Sequence, residues 1–314
     1  MRQAELSVVL ITDHFRTIRR VIQRLQEQTA RDRIEVVIVT PTERDLELDA
    51  QATSGFASVK VVEVGSISPM PPARAAGVRA TTAPLIFLGE THSYAHPAFA
   101  ATLIAAHDGP WDVVVPGLDN GNPDSALSWA SFLPDYGTWH RALPPGEVGS
   151  GPTWNVAYKR EPLLALGDNL EHALSSGDEL WSAFRAQGRT WYHAPDAPLE
   201  HVNVSRPRAW AHERYLAGVM VAANRNLRWS LPRRMAYVLA SPLIAVVMLS
   251  RLRTPLRAVR SRQLPPGTIP ALVAGVIIRT LGEAVGYLRG ASRHDESQME
   301  DYELHKLKHT VHAD

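Results

Sequence analysis

Five apolar runs, set among stretches of helical period, constrain this chain more than anything else in it. Residues 7–12 (SVVLIT), 34–39 (IEVVIV) and 59–64 (VKVVEV) are β-branched and read as buried strands. Leu85–Leu88 and residues 111–116 (WDVVVP) read as two more. Between them, residues 17–28 carry Ile18, Val21, Ile22 and Leu25 at helical spacing. Residues 73–80 are rich in Ala and Arg, and residues 97–106 read as a helix that opens with proline. This alternation predicts an α/β fold with a Rossmann-like, mostly parallel central sheet covered by helices on both faces. Further along, residues 117–151 read as loops around a short helix near 128–133. Residues 178–187 are helical, and residues 189–192 and 197–202 extended.

From Pro207 the character changes. A helix over 208–223 precedes two apolar stretches, 235–249 (broken at Ser241-Pro242) and 269–278, the latter continuing past Arg279 to Leu288. Each falls short of the roughly 20 apolar residues that cross a bilayer. The formal net charge of +1 hides an asymmetry, because no acidic residue lies between Glu213 and Glu283. That interval holds arginines at 214, 225, 228, 233, 234, 251, 253, 257, 260, 262 and 279. Apolar helices in a one-signed basic block predict segments lying in, or dipping into, an anionic membrane surface. The alternative is an ordinary helical subdomain with a solvated basic rim. The expected organisation is a first domain over 1–206, a membrane-associating helical region over 207–290, and a polar mobile tail over 291–314. In that tail His294, His305, His309 and His312 lack a tight ligand spacing. No leader pattern opens the chain, so it is expected to remain on the cytoplasmic side of the cell membrane. The absence of cysteine excludes disulfides, zinc–thiolate sites and thiol nucleophiles.

Two segments carry candidate chemistry. The strand Leu85–Leu88 runs into Gly89-Glu90-Thr91-His92, and side chains at i and i+2 of extended backbone share a side. Glu90 and His92 can therefore face one ion, which would act as a Lewis acid; carboxylate plus imidazole suits Mn2+ better than Mg2+. In Ser176-Gly177-Asp178-Glu179-Leu180 an acid pair opens a helix. Either acid could act as a general base, or the pair could simply complement the helix dipole. Neighbours on a helix do not face the same way, so one of the two at most would do the chemistry.

Taken in order, these and four other segments resemble a family-2 glycosyltransferase of the GT-A fold, membrane-associated and of bacterial type. The resemblance spans the first 200 or so of the 314 residues. Residues 7–39 resemble the family's opening strand, helix and strand. Pro72-Ala73-Arg74-Ala75-Ala76-Gly77-Val78-Arg79-Ala80 resembles its "ARNxGxxxA" helix. Glu90-Thr91-His92 stands where the family has acid-x-acid. Trp154-Asn155-Val156-Ala157-Tyr158-Lys159-Arg160 resembles "xNxAxRR", and Asp178-Glu179-Leu180, with Phe184 and Gly188, the helix of the catalytic base. His201 resembles a late histidine that reaches the metal in some members.

The resemblance implies inverting transfer of a sugar from a nucleotide-sugar donor to a hydroxyl on a glycan or lipid-linked acceptor of the cell envelope. It implies a divalent cation (Mn2+ or Mg2+) on Glu90, His92 and His201, and donor contacts from Thr12, Arg74, Gly89 and Glu90. Acceptor contacts would come from Trp154 and Asn155, and the base from Asp178 or Glu179. Independently of the resemblance, Trp129, Trp139 and Trp154 could stack on sugar faces or be core or interface aromatics. Two departures stand out. Thr40-Pro41-Thr42-Glu43 replaces paired aspartates, and Glu-Thr-His replaces Asp-x-Asp. They keep open a second reading, a catalytically degenerate GT-A-like scaffold tethered to a membrane or partner. A nucleotidyltransferase is disfavoured, since Asp13-His14-Phe15-Arg16 replaces a glycine-rich phosphate loop. No nucleic-acid-binding module accompanies the arginines, and a homo-oligomer is left open.

Overall fold

The computed structural model describes residues 3–311. Its strands are β1 (Leu6–Ile11), β2 (Ile34–Thr40), β3 (Ser58–Glu63), β4 (Leu85–Leu88), β5 (Ser93–Ala95), β6 (Val113–Asn120), β7 (Gly146–Glu147), β8 (Val156–Lys159) and β9 (Trp191–His201). The helices of eight residues or more are α1 (Phe15–Gln26), α2 (Met70–Ala80), α3 (Phe99–Ala106), α4 (Ala126–Tyr136), α5 (Gly177–Ala186) and α6 (Pro207–Asn226). They continue with α7 (Leu231–Leu239), α8 (Ser241–Arg251), α9 (Thr268–Arg289) and α10 (Arg293–Leu304). The chain divides into two compact units. One comprises residues up to Asp119 together with Trp139–His201; the other comprises Asn120–Thr138 and everything from Val202 on.

In the first unit the strands order as β3-β2-β1-β4-β8-β6-β9-β5, with β7 on β9. β1–β2, β1–β4 and β2–β3 pair in parallel. β8 is antiparallel to β4 and β6, and β9 to β5 and β7. The expectation of a mostly parallel sheet is corrected to a mixed one. The parallel part is the strand–helix alternation itself, while β8 enters the sheet in the opposite direction and β9 runs against β5 and β7. β1 has β2 on one side and β4 on the other, so the strand order reverses there. The crevice beyond the carboxyl ends of β1 and β4 is where open α/β sheets bind ligands. α1 covers the sheet with Phe15, Ile18, Val21, Ile22 and Leu25 buried.

A polar knot ties the opposite ends of these strands. Glu35, fully buried in β2, accepts hydrogen bonds from Ser7 Oγ and from Thr82 N and Oγ1 (2.7 Å each for Thr82), and pairs with Lys60 Nζ at 2.7 Å. Burial alone would raise the carboxyl. The bonds from Lys60, Ser7 and Thr82 outweigh it and bring the pKa from 4.5 down to about 2. A folded-state value below the unfolded one gives stability that is present above pH 4.5 and lost as pH falls toward about 2. Glu35→Gln should therefore remove about 3 kcal/mol at neutral pH. It should also flatten the acid limb of stability against pH, which urea unfolding of both proteins across that range would show.

The second unit is helical. α6 and α9 lie side by side with backbones almost touching: a Cβ on Gly218 would come within 2.0 Å of Arg279 O, and one on Gly282 within 2.0 Å of Tyr215 O. Arg214 Nη2 reaches Asp135 Oδ2 and Glu213 Oε1 at 2.7 Å each, and Arg279 Nη1 reaches Asp135 Oδ1 at 2.8 Å. Part of the basic block is thus neutralised from within the unit.

α9 differs from the sequence expectation. It is one continuous helix of 22 residues, long and apolar enough by length and composition to cross a membrane. Arg279, a good helix former, continues it, and its charge is paired with Asp135. The other apolar stretch bends by 67° where Ala240 separates α7 from α8. Beyond Gly290, α10 opens with a capping box between Ser292 and Asp295, and Arg289 pairs with Asp295 at 2.7 Å. His305 and His309 both lie against Asp301, while His312 falls outside the described residues.

Candidate metal centre

Three strands bring the centre together. β1 and β4 are in register through Val9–Leu88, and Gly89 N extends that ladder to Val9 O at 3.0 Å. The next residue, Glu90, therefore sits at the carboxyl end of β4, at the reversal of strand order. The chain turns at Thr91 and enters β5, with His92 immediately before it. β9 then returns antiparallel to β5 and sets His201 opposite Ser93, beside His92.

The three side chains converge. His92 Nε2 lies 3.1 Å from His201 Nε2, and Glu90 Oε2 lies 3.4 Å from the first and 3.3 Å from the second. Both imidazoles are buried and Glu90 nearly so. At metal–ligand distances of about 2.1 Å, adjacent positions around a tetrahedral or octahedral ion lie roughly 3.0–3.4 Å apart. The observed triangle matches that spacing. Two imidazoles and one carboxylate on one face of an ion leave its remaining positions to water or to phosphate oxygens. These residues fit a divalent cation.

Outer contacts orient the ligands, as metal sites require. Thr91 Oγ1 is 3.3 Å from His92 Nδ1, and Ser93 Oγ donates to Glu90 Oε2 at 3.3 Å. Asn155 Nδ2 donates to the same oxygen at 2.5 Å. Asn155 gets there because its N–H bonds Leu88 O at 2.6 Å, just before β8 pairs with β4. It is fully buried, adopts φ 61°, and its Oδ1 makes no hydrogen bond. A non-glycine residue held at positive φ is a marked feature, and asparagine is among the residue types that tolerate it best. The geometry puts Asn155 against Glu90, a candidate metal ligand, in addition to the acceptor contact that the resemblance implied.

The remaining sequence-derived residues distribute unevenly. Arg74, on α2, stacks its guanidinium 3.3 Å from the Trp154 ring centroid, so a donor candidate and an acceptor candidate meet. Thr12 is buried and spends its hydroxyl on His14 O at 2.8 Å, closing the turn into α1. Trp129 is a core residue of the second unit, its indole donating to Pro123 O at 2.7 Å, and Trp139 donates to Ser150 O at 3.0 Å. Ser176 caps α5 by accepting from Glu179 N at 3.3 Å. Gly177 abuts Thr153, where a Cβ would approach Oγ1 to 2.5 Å, so α5 begins against a residue that stands two positions before Asn155.

The acid pair splits. Asp178 is exposed, whereas Glu179 is largely buried with His172 Nε2 3.2 Å from Oε2. His172 was not singled out in the sequence. It lies in a short helical turn with no periodicity to mark it, and only the fold brings it to Glu179.

No protein-family model and no curated protein matches the chain. Solved structures do. The mannosyltransferase PcManGT from Pyrobaculum calidifontis, in complex with GDP-Man and Mn2+, is similar over 93% of this chain and 89% of its own, at 15% identity and a TM-score of 0.56. S. aureus TarS in complex with UDP aligns over 95% of this chain and 91% of its own, at 14% identity and a TM-score of 0.47. GalNAc-T7 with UDP, GalNAc and Mn2+ aligns over 63% of this chain at 16% identity and a TM-score of 0.48, and the chain spans only 44% of its length. This chain therefore has a GT-A-like glycosyltransferase fold, with a glutamate and two histidines that can hold a divalent cation at the reversal of strand order in its sheet.

Proposed function

We propose that this protein is an inverting, metal-dependent glycosyltransferase of family 2, moving a sugar from a nucleotide-sugar donor to an acceptor hydroxyl. The observation that carries the reading is the convergence of Glu90, His92 and His201 within 3.1–3.4 Å at the carboxyl ends of β1 and β4. When bound there, a divalent cation supplies charge neutralisation for a departing diphosphate. Arg74, beside Trp154, adds a fixed positive charge for the same phosphates. In the displacement the acceptor oxygen bonds to the anomeric carbon as the bond from that carbon to the diphosphate oxygen breaks. The acceptor proton passes to a carboxylate, for which exposed Asp178 is the better candidate because His172 engages Glu179. The apolar, arginine-rich second unit supports work at the cytoplasmic face of a membrane, on a lipid-linked or envelope glycan acceptor.

A panel of nucleotide sugars, each incubated with the purified chain with and without Mn2+, tests the reading. Release of nucleoside diphosphate from at least one donor, dependent on the ion, is expected. One observation favours a degenerate binding module instead. The end of β2, where the family's paired aspartates would stand, is spent on local structure, with Thr42 Oγ1 capping a short helix through Asp45 N at 3.1 Å. Ion-dependent binding of nucleoside diphosphates without turnover of any donor would select that reading.

A further inference from the structure

We infer that the second unit docks on an anionic lipid bilayer in-plane, with α9 lying along the surface instead of crossing it. Exposed large apolar residues concentrate on its helices. On α9 they are Ile269, Val273, Ile277, Leu281 and Leu288, between 38% and 59% exposed. At 100° per residue these five fall within an arc of about 120° and run for about 28 Å along the helix. Leu239 on α7, and Leu243 and Val246 on α8, add 83%, 64% and 61% exposed side chains on elements that pack against α9. So much unpartnered apolar surface marks an interaction face.

Charge and aromatic chemistry say what covers it. Exposed Arg251 ends α8, and exposed Arg253, Arg257, Arg260 and Arg262 follow it, with no acid among them. Just before α7, Trp229 stacks on Tyr287, near the end of α9, with centroids 5.6 Å apart, and Arg233 lies 4.1 Å from the Trp229 centroid. Leu227 and Leu231, 77% and 62% exposed, flank that tryptophan. An apolar stripe with arginines and one half-buried tryptophan around it matches acyl chains beneath anionic headgroups. A second copy of the chain matches it poorly, since it would set arginines against arginines.

The covered side of α9 decides against crossing. Glu283 is buried with Arg225 Nη1 3.5 Å from it, and Arg279 is held by Asp135. The close approach at Gly218 and Gly282 ties α9 to α6, which carries His212, Glu213 and Arg214. A crossing α9 would carry those ionisable groups into hydrocarbon, where such groups are costly.

This docking rests on the membrane-face reading above, but its test needs no turnover. The full chain is floated with vesicles of phosphatidylcholine alone and of phosphatidylcholine mixed equally with phosphatidylglycerol. Flotation with the mixed vesicles only, weakened by added salt, is expected. Val273→Asp with Ile277→Asp, at exposed positions, should cut bound protein about tenfold or more while the thermal melt stays in place. Arg253→Glu with Arg257→Glu should remove the preference for phosphatidylglycerol, and it keeps the test decisive if the first pair melts early. Unchanged flotation of both pairs overturns the inference. So does resistance of membrane-bound chain to alkaline carbonate, which marks a crossing helix, or a wild-type dimer that the aspartate pair turns monomeric without any flotation. A chain that floats yet releases no nucleoside diphosphate supports docking and counts against the catalytic reading alone.

Discussion

Glu90→Gln, His92→Ala and His201→Ala should each lower ion-stimulated release of nucleoside diphosphate by about a thousandfold, with the fold retained. Each removes one corner of a triangle whose edges are 3.1–3.4 Å, and the two left cannot enclose an ion from three sides. Calorimetric titration of Mn2+ gives a readout besides turnover: binding should vanish in the histidine variants. Asn155→Ala should be graded, costing about 10- to 100-fold in Mn2+ affinity, since it removes an orienting bond to Glu90 and not a ligand. Wild-type Mn2+ affinity and turnover in His201→Ala would sink the metal assignment, because β9 would then contribute only framework.

The sequence carried much of this centre and little of what surrounds it. Glu90 and His92 are legible because a four-residue apolar strand precedes them and extended backbone puts i and i+2 on one side. β5 is not legible: Ser93–Ala95 is too short for any periodicity to register. Yet it is the pairing of β5 with β9 that brings His201 to His92, so that ligand came only through the family resemblance. β9 itself reads as two extended pieces because Pro195 and Pro198 fall inside it, and prolines argue against a strand in sequence. Burial patterns also do not distinguish parallel from antiparallel neighbours in a strand covered on both faces, which is why the sheet was expected to be mostly parallel. The Asn155–Glu90 bond depends on the β4–β8 register, a long-range fact with no local signature. On α9 the charge at Arg279 makes the apolar stretch read as too short to cross a bilayer. The partner that offsets it, Asp135, lies on α4, far away in the chain.

Asp178→Asn should lower kcat for glycosyl transfer by about a thousandfold, with donor KM and Mn2+ affinity close to wild type. The carboxylate is exposed in the first turn of α5, and that turn is fixed from both sides. Ser176 caps it, and Gly177 is pressed on Thr153. A base so placed contributes only as the acceptor proton leaves, so its loss belongs in kcat and not in donor binding. Glu179→Gln should behave differently. Its carboxylate is engaged by His172 at 3.2 Å, so the change disturbs the seating of α5, with a loss of about tenfold or less and a lower melting temperature. His172→Ala should reproduce that milder effect, since it removes the other half of the same contact. Slow spontaneous donor hydrolysis, in which water replaces the acceptor, gives a further check: Asp178→Asn should depress it alongside transfer, because water must lose a proton too. If Glu179→Gln proves the more damaging of the two while Asp178→Asn turns over normally, the roles are reversed, and His172 becomes the group that orients the base.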